Sequence, residues 1–279
     1  VVVSEGFAPT PAISWATVEY GYQAGVVITA SHNPPEYNGF KIKGYFGGSA
    51  LPEMISDVES RLAPFEEHLY ASFDALVTGG QISLRPVREE YIAHLKTLID
   101  IQAIRNAGIM VVHDAMYGAG QGVLAEILGA DRVIEHRCSI NPGFGGTPPE
   151  PIERNLNQLK DLITQKGCDA AIANDGDADR IGMSDEHGDF VDSHRLLALL
   201  VDYLHSDKGL SGSVVKTFST TDMLDKLCLD LGLSLETTAI GFKYIGEKFL
   251  NGDVLVGGEE SGGMALKGHI PERDGIFIG

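Results

Sequence analysis

Short runs rich in β-branched residues alternate along this chain with longer stretches of helical periodicity, and each run gives way to glycine- or aspartate-rich residues. That alternation predicts an α/β fold: three similar consecutive α/β domains with mixed, largely parallel sheets. The strand candidates are residues 25–29, 108–113, 170–173, 213–217 and 253–257. Ligands of open α/β sheets gather beyond the carboxyl ends of strands, so chemistry is sought in the residues that follow each run. Residues 79–86 break the pattern before a helix expected from Glu89, and a polar turn at residues 185–189 precedes another near Ser193. The resulting segments are 1–88, 89–189 and 190–279. The proline-rich stretch 141–151 suits neither a helix nor a central strand and reads as a crossing loop in the middle segment. The strand-then-polar-loop pattern recurs in all three segments, as divergent copies of one unit would show.

Composition narrows the function classes. The 279 residues exceed one ordinary domain, and 43% hydrophobic with 22% charged residues is globular usage. A net charge of -18 argues against nucleic acid or an anionic membrane as partner, and requires local cations wherever an anionic substrate binds. No apolar run reaches the ~18 residues of a membrane span; residues 196–204 are interrupted by Asp202 and read as a helix packed on one face. Cys138, Cys168 and Cys228 are too scattered for a disulfide framework, so reduced thiols and a cytoplasmic location are expected. The chain opens on Val1-Val2-Val3-Ser4 without an export signal or an initiator methionine, which suggests a trimmed start.

Three loops carry chemistry. Thr29-Ala30-Ser31-His32-Asn33-Pro34 follows a strand candidate, and reads either as an Asn-Pro turn with a capping serine or as a phosphoryl-acceptor loop. In the second reading Ser31 is the acceptor, His32 can hydrogen-bond phosphate or substrate, and Lys41 adds positive charge. Asp175-Gly176-Asp177-Ala178-Asp179-Arg180 converges three carboxylates if the loop is extended, because alternate residues point the same way. Two such charges about 4 Å apart repel by about 4 kcal/mol at an effective dielectric of roughly 20, so a hard divalent cation is the natural remedy. All-oxygen ligation favours magnesium, with manganese also suitable. A calcium loop fits less well because Arg180 stands where the tight turn wants glycine, and a solvated acidic loop is the plain alternative. Gly257-Gly258-Glu259-Glu260-Ser261-Gly262-Gly263 combines backbone freedom with acceptors suited to sugar hydroxyls, or is a flexible connection. His269, Arg273 and Asp274 make a further polar cluster, and Lys243 can bind phosphate or stay solvated. The glycines at 118–122, the interval 241–246 and Ser261 fail the dinucleotide, P-loop and hydrolase-elbow spacings respectively.

Together these three loops, in this order and spacing, closely resemble the signature loops of the α-D-phosphohexomutase superfamily. The resemblance runs over essentially the whole chain, through Pro9-Thr10-Pro11, Tyr37-Asn38-Gly39, Met116-Tyr117-Gly118 and Gly241-Phe242-Lys243. It implies that Ser31 is a phosphoserine and that Asp175, Asp177 and Asp179 hold Mg2+ with a phosphoserine oxygen. It further implies that Arg180 sits beside the phosphoryl group, that Lys41 transfers a proton, and that Glu259 and Ser261 grip sugar hydroxyls. A Gly-Glu-Glu-Ser loop resembles that of glucomutases, whereas members using both glucose and mannose carry a histidine where Gly263 stands; His269, in a block resembling one of glucomutases, takes its place. The implied activity interconverts hexose 1-phosphate and hexose 6-phosphate through a bisphosphate, with glucose favoured over mannose.

The family's opening Gly-Thr-Ser-Gly-x-Arg-Gly loop and closing Arg-x-Ser-Gly-Thr-Glu-Pro loop are not in the sequence. The resemblance therefore leads to the expectation of a piece that binds magnesium and turns over poorly. A non-catalytic sugar-phosphate or metal-binding relative and a leaky phosphatase are the alternatives. The residues say nothing about oligomeric state.

Overall fold

In the computed structural model, which describes residues 1–62 and 71–279, the chain lays down three α/β units in succession. The expected first segment, 1–88, thus includes residues 63–70, which lie outside the described ones. The first unit holds β1 (Val2–Ser4), α1 (Thr10–Glu19), β2 (Ala24–Ile28), β3 (Phe40–Gly44), α2 (Pro52–Ser60), α3 (Phe73–Thr78) and β4 (Ser83–Arg85). β1 pairs with β4 in parallel, while β2 and β3 form an antiparallel hairpin with Val27 opposite Lys41.

The second unit contains α4 (Val87–Leu98), α5 (Ile101–Ala107), β5 (Val111–Asp114), α6 (Val123–Leu128), β6 (Val133–His136), α7 (Asn157–Lys166), β7 (Ala170–Asn174), β8 (Ile181–Ser184) and β9 (Phe190–Val191). The third contains α8 (Ser193–Asp202), β10 (Ser213–Thr217), α9 (Met223–Leu231), β11 (Leu235–Thr238), α10 (Phe242–Asn251), β12 (Val254–Gly258), β13 (Met264–Leu266) and α11 (Gly275–Ile278). Their sheets run β6-β5-β7-β8-β9 and β11-β10-β12-β13. In each, the first two neighbours of the central strand pair with it in parallel and the next strand turns back antiparallel. This shared order supports the repeated-unit reading of the sequence.

Local chemistry explains most boundaries. Asp192 caps α8 by accepting from the Arg195 amide, which stops the polar turn and starts the helix at Ser193. The helix before β5 ends on Gly108 at φ 76°, so the strand expected from residue 108 begins only at Val111. Pro86 fixes the entry to α4, which begins at Val87, ahead of the expected Glu89. The proline-rich stretch 141–151 is indeed a loop, with one 3-10 turn at Phe144–Gly146. No helix among the described residues is long and apolar enough to cross a membrane.

The central strands are buried on both faces, which is why they read as unbroken apolar runs. One core, including Trp15, Tyr91, Ile172, Leu197, Leu255 and Ile276, runs through all three units. A buried ion pair fastens the outer two: Lys43 Nζ lies 2.6 Å from Glu272 Oε2, and Ser49 donates to the same oxygen. Burial opposes ionisation of Glu272, yet Lys43 and Arg273 hold its carboxyl below its ordinary value of 4.5.

Removing one partner of such a pair strands the other, so Glu272→Ala is expected to cost about 3–5 kcal/mol in urea unfolding, and the joint Lys43→Met, Glu272→Leu change far less. Because the folded-state pKa is depressed, the pair's contribution is present above pH 4.5 and fades as pH falls below it. The gap between wild type and the double variant should change over that acid range.

Candidate active site

The three loops singled out in the sequence are all hairpin turns, between β2 and β3, β7 and β8, and β12 and β13, and the structure brings them together. In the β7–β8 turn Ala178 adopts φ 58°, the Ala178 amide donates to the Asp175 carbonyl, and the Arg180 amide donates to Asp175 Oδ1 at 3.1 Å. The carboxylates therefore converge through a tight turn rather than through the extended loop expected. Asp175, Asp177 and Asp179 are 0%, 3% and 0% exposed, and each offers an oxygen within 4.8 Å of the others.

The β2–β3 turn sets Ser31 against this cluster. Ser31 takes φ 55°, its amide donates to Thr29 Oγ1, and its Oγ donates to Asp175 Oδ2 at 3.1 Å. His32 Nδ1 lies 3.3 Å from Ser31 Oγ. Gly176 is required here for steric reasons, because a Cβ at that position would run into the Ser31 carbonyl oxygen. Across the hairpin, Lys41 Nζ reaches Asp177 Oδ2 at 2.7 Å and Asp179 Oδ2 at 3.4 Å. Thr10, at the start of α1, donates through Oγ1 to Asp177 Oδ2 at 2.6 Å.

From the third unit, Arg273 brings Nη2 to 2.8 Å from Asp179 Oδ2 and Nη1 to 3.6 Å from Glu259 Oε2. Glu260 turns the other way and accepts from Thr217 Oγ1, anchoring the β12–β13 turn to its own sheet. Gly262, at φ 88°, packs its Cα against the Ile181 carbonyl too closely for any side chain. Ser261 is half-buried on the same turn.

Three buried acids thus face Lys41, Arg180 and Arg273. Burial pushes the Asp175 carboxyl well above the usual range, and Asp179 and Asp177 add to the push. Burial also opposes the charge on Asp179, but Arg273, Lys41 and Arg180 outweigh it and hold that carboxyl below the range. Burial would lower Lys41, but Asp179 and Asp177 raise it and keep the ammonium charged. His32 is lowered by burial and then by Arg180, so its ring is neutral near pH 7. Asp177 Oδ1 and Asp179 Oδ1 are buried without a hydrogen-bond partner. Unpartnered oxygens in an all-oxygen set, beside the Ser31 hydroxyl, are what a hard divalent cation needs, with octahedral sites placing ligands roughly 3–4 Å apart. The aspartate triad can therefore bind such an ion.

Ser31, His32, Lys41, Arg180, Glu259 and the triad come together; Ser261 stands on the same turn as Glu259 without a hydrogen bond to the triad, and two further expected residues lie away from it. Lys243 opens α10, is exposed and lies over the Tyr244 ring, 5.0 Å from its centroid. His269, expected at a sugar, lies away from the cluster: its side chain is 2% exposed, with Nε2 2.8 Å from Asp274 and the ring stacked on His94. The block around it forms a buried network, since Asp274 also accepts from Tyr91 and from the Phe277 amide. The sequence gives Thr10 no site role and places Arg273 only within a polar cluster with His269 and Asp274. Only the acid-base-acid run Glu272-Arg273-Asp274 hinted at the latter.

With this geometry established, comparison with known proteins is direct. The models for phosphoglucomutase/phosphomannomutase alpha/beta/alpha domains I, II and III match residues 1–68, 89–188 and 192–279 in turn. The chain belongs to the phosphoglucomutase/phosphomannomutase family. A phosphoglucomutase/phosphomannomutase of Thermococcus kodakarensis is 33% identical over 278 residues, which cover 99% of this chain and 60% of the relative. A phosphoglucosamine mutase of Ruminiclostridium cellulolyticum is 34% identical over 284 residues, covering 99% and 61%. A crystal structure from Thermus thermophilus, assigned as a phosphomannomutase, superimposes with a TM-score of 0.90 at 37% identity, over 100% of this chain and 62% of that one. The chain thus spans about 60% of the length of its curated relatives. An Aspergillus fumigatus N-acetylphosphoglucosamine mutase, solved with GlcNAc-6P and magnesium, shares the fold at 18% identity and a TM-score of 0.57, covering 91% of this chain and 64% of that one.

If the aspartate triad binds the ion, Mg2+ at roughly 100 times its Kd should stabilise the fold by about 2.7 kcal/mol. Urea unfolding of wild type and of the Asp177→Asn, Asp179→Asn variant checks this; the variant should gain nothing. Gly176→Ala, by prising the two hairpins apart, should cost about 1–3 kcal/mol in the same assay.

Proposed function

We propose that the protein acts in phosphoryl transfer on a hexose phosphate, interconverting its 1- and 6-phosphates through a phosphorylated Ser31 and a hexose bisphosphate. The observation that carries this reading is the Ser31 hydroxyl, held 3.1 Å from a carboxylate of a buried aspartate triad that is itself faced by two arginines and a lysine. A serine used only as a turn cap would have no need of that charge. Family membership supports the same reading. Glucose is the first hexose to test because of the Gly258-Glu259-Glu260-Ser261-Gly262 turn, with mannose and glucosamine beside it because relatives bear those names.

Magnesium would be held by Asp175, Asp177, Asp179 and an oxygen of the phosphorylated Ser31; when bound it supplies neutralising charge for the transferring group. The chain's own residues do the rest. When Ser31 accepts a phosphoryl group, the Oγ–P bond forms as the P–O bond to the sugar breaks. The Oγ proton is lost and the departing sugar oxygen takes one up. His32 Nδ1, neutral and 3.3 Å away, is within reach of the proton that Oγ loses. Arg180 stands beside the triad with its buried Nε making no hydrogen bond, a donor left over for a phosphoryl oxygen. Lys41, held charged between Asp177 and Asp179, is a cation placed to attract an anionic substrate. Glu259, raised in pKa by burial, is an acceptor suited to sugar hydroxyls.

Intact-protein mass after incubation with Mg2+ and glucose 1,6-bisphosphate tests the proposal. The chain should gain one phosphate, and Ser31→Ala should gain none. A chain that binds the bisphosphate without ever acquiring phosphate would leave a binding protein as the better description.

A further inference from the structure

A second cluster of metal-type ligands lies one strand away from the aspartate loop, and the chemistry above does not use it. In the parallel pairing of β5 with β6, His113 is the register partner of Glu135, so their side chains stand on the same face of the sheet. Past the end of β6, Arg137 takes φ 47° and is pinned by Asp114, with Nε 2.8 Å from Oδ1. That kink turns Cys138 back over the sheet, where its Sγ lies 3.8 Å from the His113 carbonyl oxygen. A ring nitrogen of His113, a carboxylate oxygen of Glu135 and the sulfur of Cys138 all fall within 4.8 Å of one another.

The tautomer of His113 decides what the cluster offers. Asn174 Nδ2 donates to the Arg180 carbonyl at 2.9 Å, which orients the amide so that its Oδ1 faces His113 Nε2 at 3.1 Å. Oδ1 can only accept, so Nε2 carries the proton and Nδ1 carries a lone pair. The residue is fully buried, and Nδ1 has no hydrogen-bond partner. Burial also keeps the ring neutral, with a pKa lowered to about 4. A neutral imidazole, with one nitrogen locked by an amide and the other bare, is the form in which histidine ligates metals. Glu135, the outer member, makes no ion pair among the described residues and keeps its carboxylate available.

We propose that His113, Glu135 and Cys138 form a second metal site, suited to a borderline divalent ion of the zinc class. A nitrogen, a sulfur and one oxygen match zinc and not magnesium, and three protein ligands leave a fourth tetrahedral position open. Binding expels the thiol proton to solvent as the metal–sulfur bond forms. The site also reaches the aspartate loop: His113 is hydrogen-bonded to Asn174, which precedes Asp175 and holds the Arg180 carbonyl. An ion on Nδ1 would lock that tautomer and brace both ends of the loop.

Cobalt(II) is the probe, because only a thiolate ligand gives the near-ultraviolet sulfur-to-cobalt charge-transfer band and the aspartate triad cannot produce it. The full chain, with excess Mg2+ present, should develop the band at one equivalent of Co2+ and lose it on addition of Zn2+. Cys138→Ser should abolish it, Glu135→Gln should weaken Co2+ binding by about tenfold or more, and Cys168→Ser and Cys228→Ser should leave it intact. Circular dichroism checks that the variants stay folded, which the exposure of Glu135 and the half-burial of Cys138 favour. Absence of the band in wild type, or its survival in Cys138→Ser, would overturn the site.

Discussion

Three carboxylates buried within one turn of chain are the constraint on which this architecture depends. Like charges a few ångströms apart in a low-dielectric interior repel by several kcal/mol, and desolvation adds to the cost. The second unit holds the aspartates but supplies only Arg180 from its own turn; Lys41 comes from the first unit and Arg273 from the third. Electrostatic balance at the turn therefore requires all three units to pack around it. The same demand explains why Lys43 and Glu272 are fully buried nearby, tying the hairpin that carries Lys41 to the segment that carries Arg273.

A common topology makes the convergence possible. The second and third sheets share one strand order, and in both the acidic turn joins the third strand to the antiparallel fourth. The first unit presents Ser31 on a hairpin as well. Where the hairpins meet, backbone touches backbone: Gly176 against the Ser31 carbonyl and Gly262 against that of Ile181. A bridge between Arg180 and Gly263 and a hydrogen bond from the Ile181 amide to Gly262 complete the join. Side chains at either glycine would separate the loops and, with them, Ser31, the acids and the turn that carries Glu259.

Residues of the same chemical type receive opposite roles from their surroundings. Glu259 points into the site beside Arg273, whereas adjacent Glu260 turns away to Thr217. His32 lies at the serine, whereas His269 packs between His94 and Phe277. Neither difference is written in the local sequence, because each depends on which face of a turn meets another unit.

Much of the fold was legible in the sequence because it rests on local rules: apolar runs became buried strands, Asp192 capped a helix, and glycines ended others. The three loops were legible too, since Ser31 and the aspartates each stand in a short motif and the motifs follow one another in the order and spacing of the family. The strand expected at residue 108 began late because a left-handed glycine cap belongs to the helix before it. By itself, then, the sequence determined the class of fold, the Ser31 loop, the acidic triad and the family. Tertiary structure alone decided that Arg273 and Thr10 complete the cluster, that His269 belongs to the core, and that Nδ1 of His113 is left bare. Those outcomes depend on contacts between residues 61 to 175 positions apart in the chain, set by the packing of one unit on another and of one strand on its neighbour.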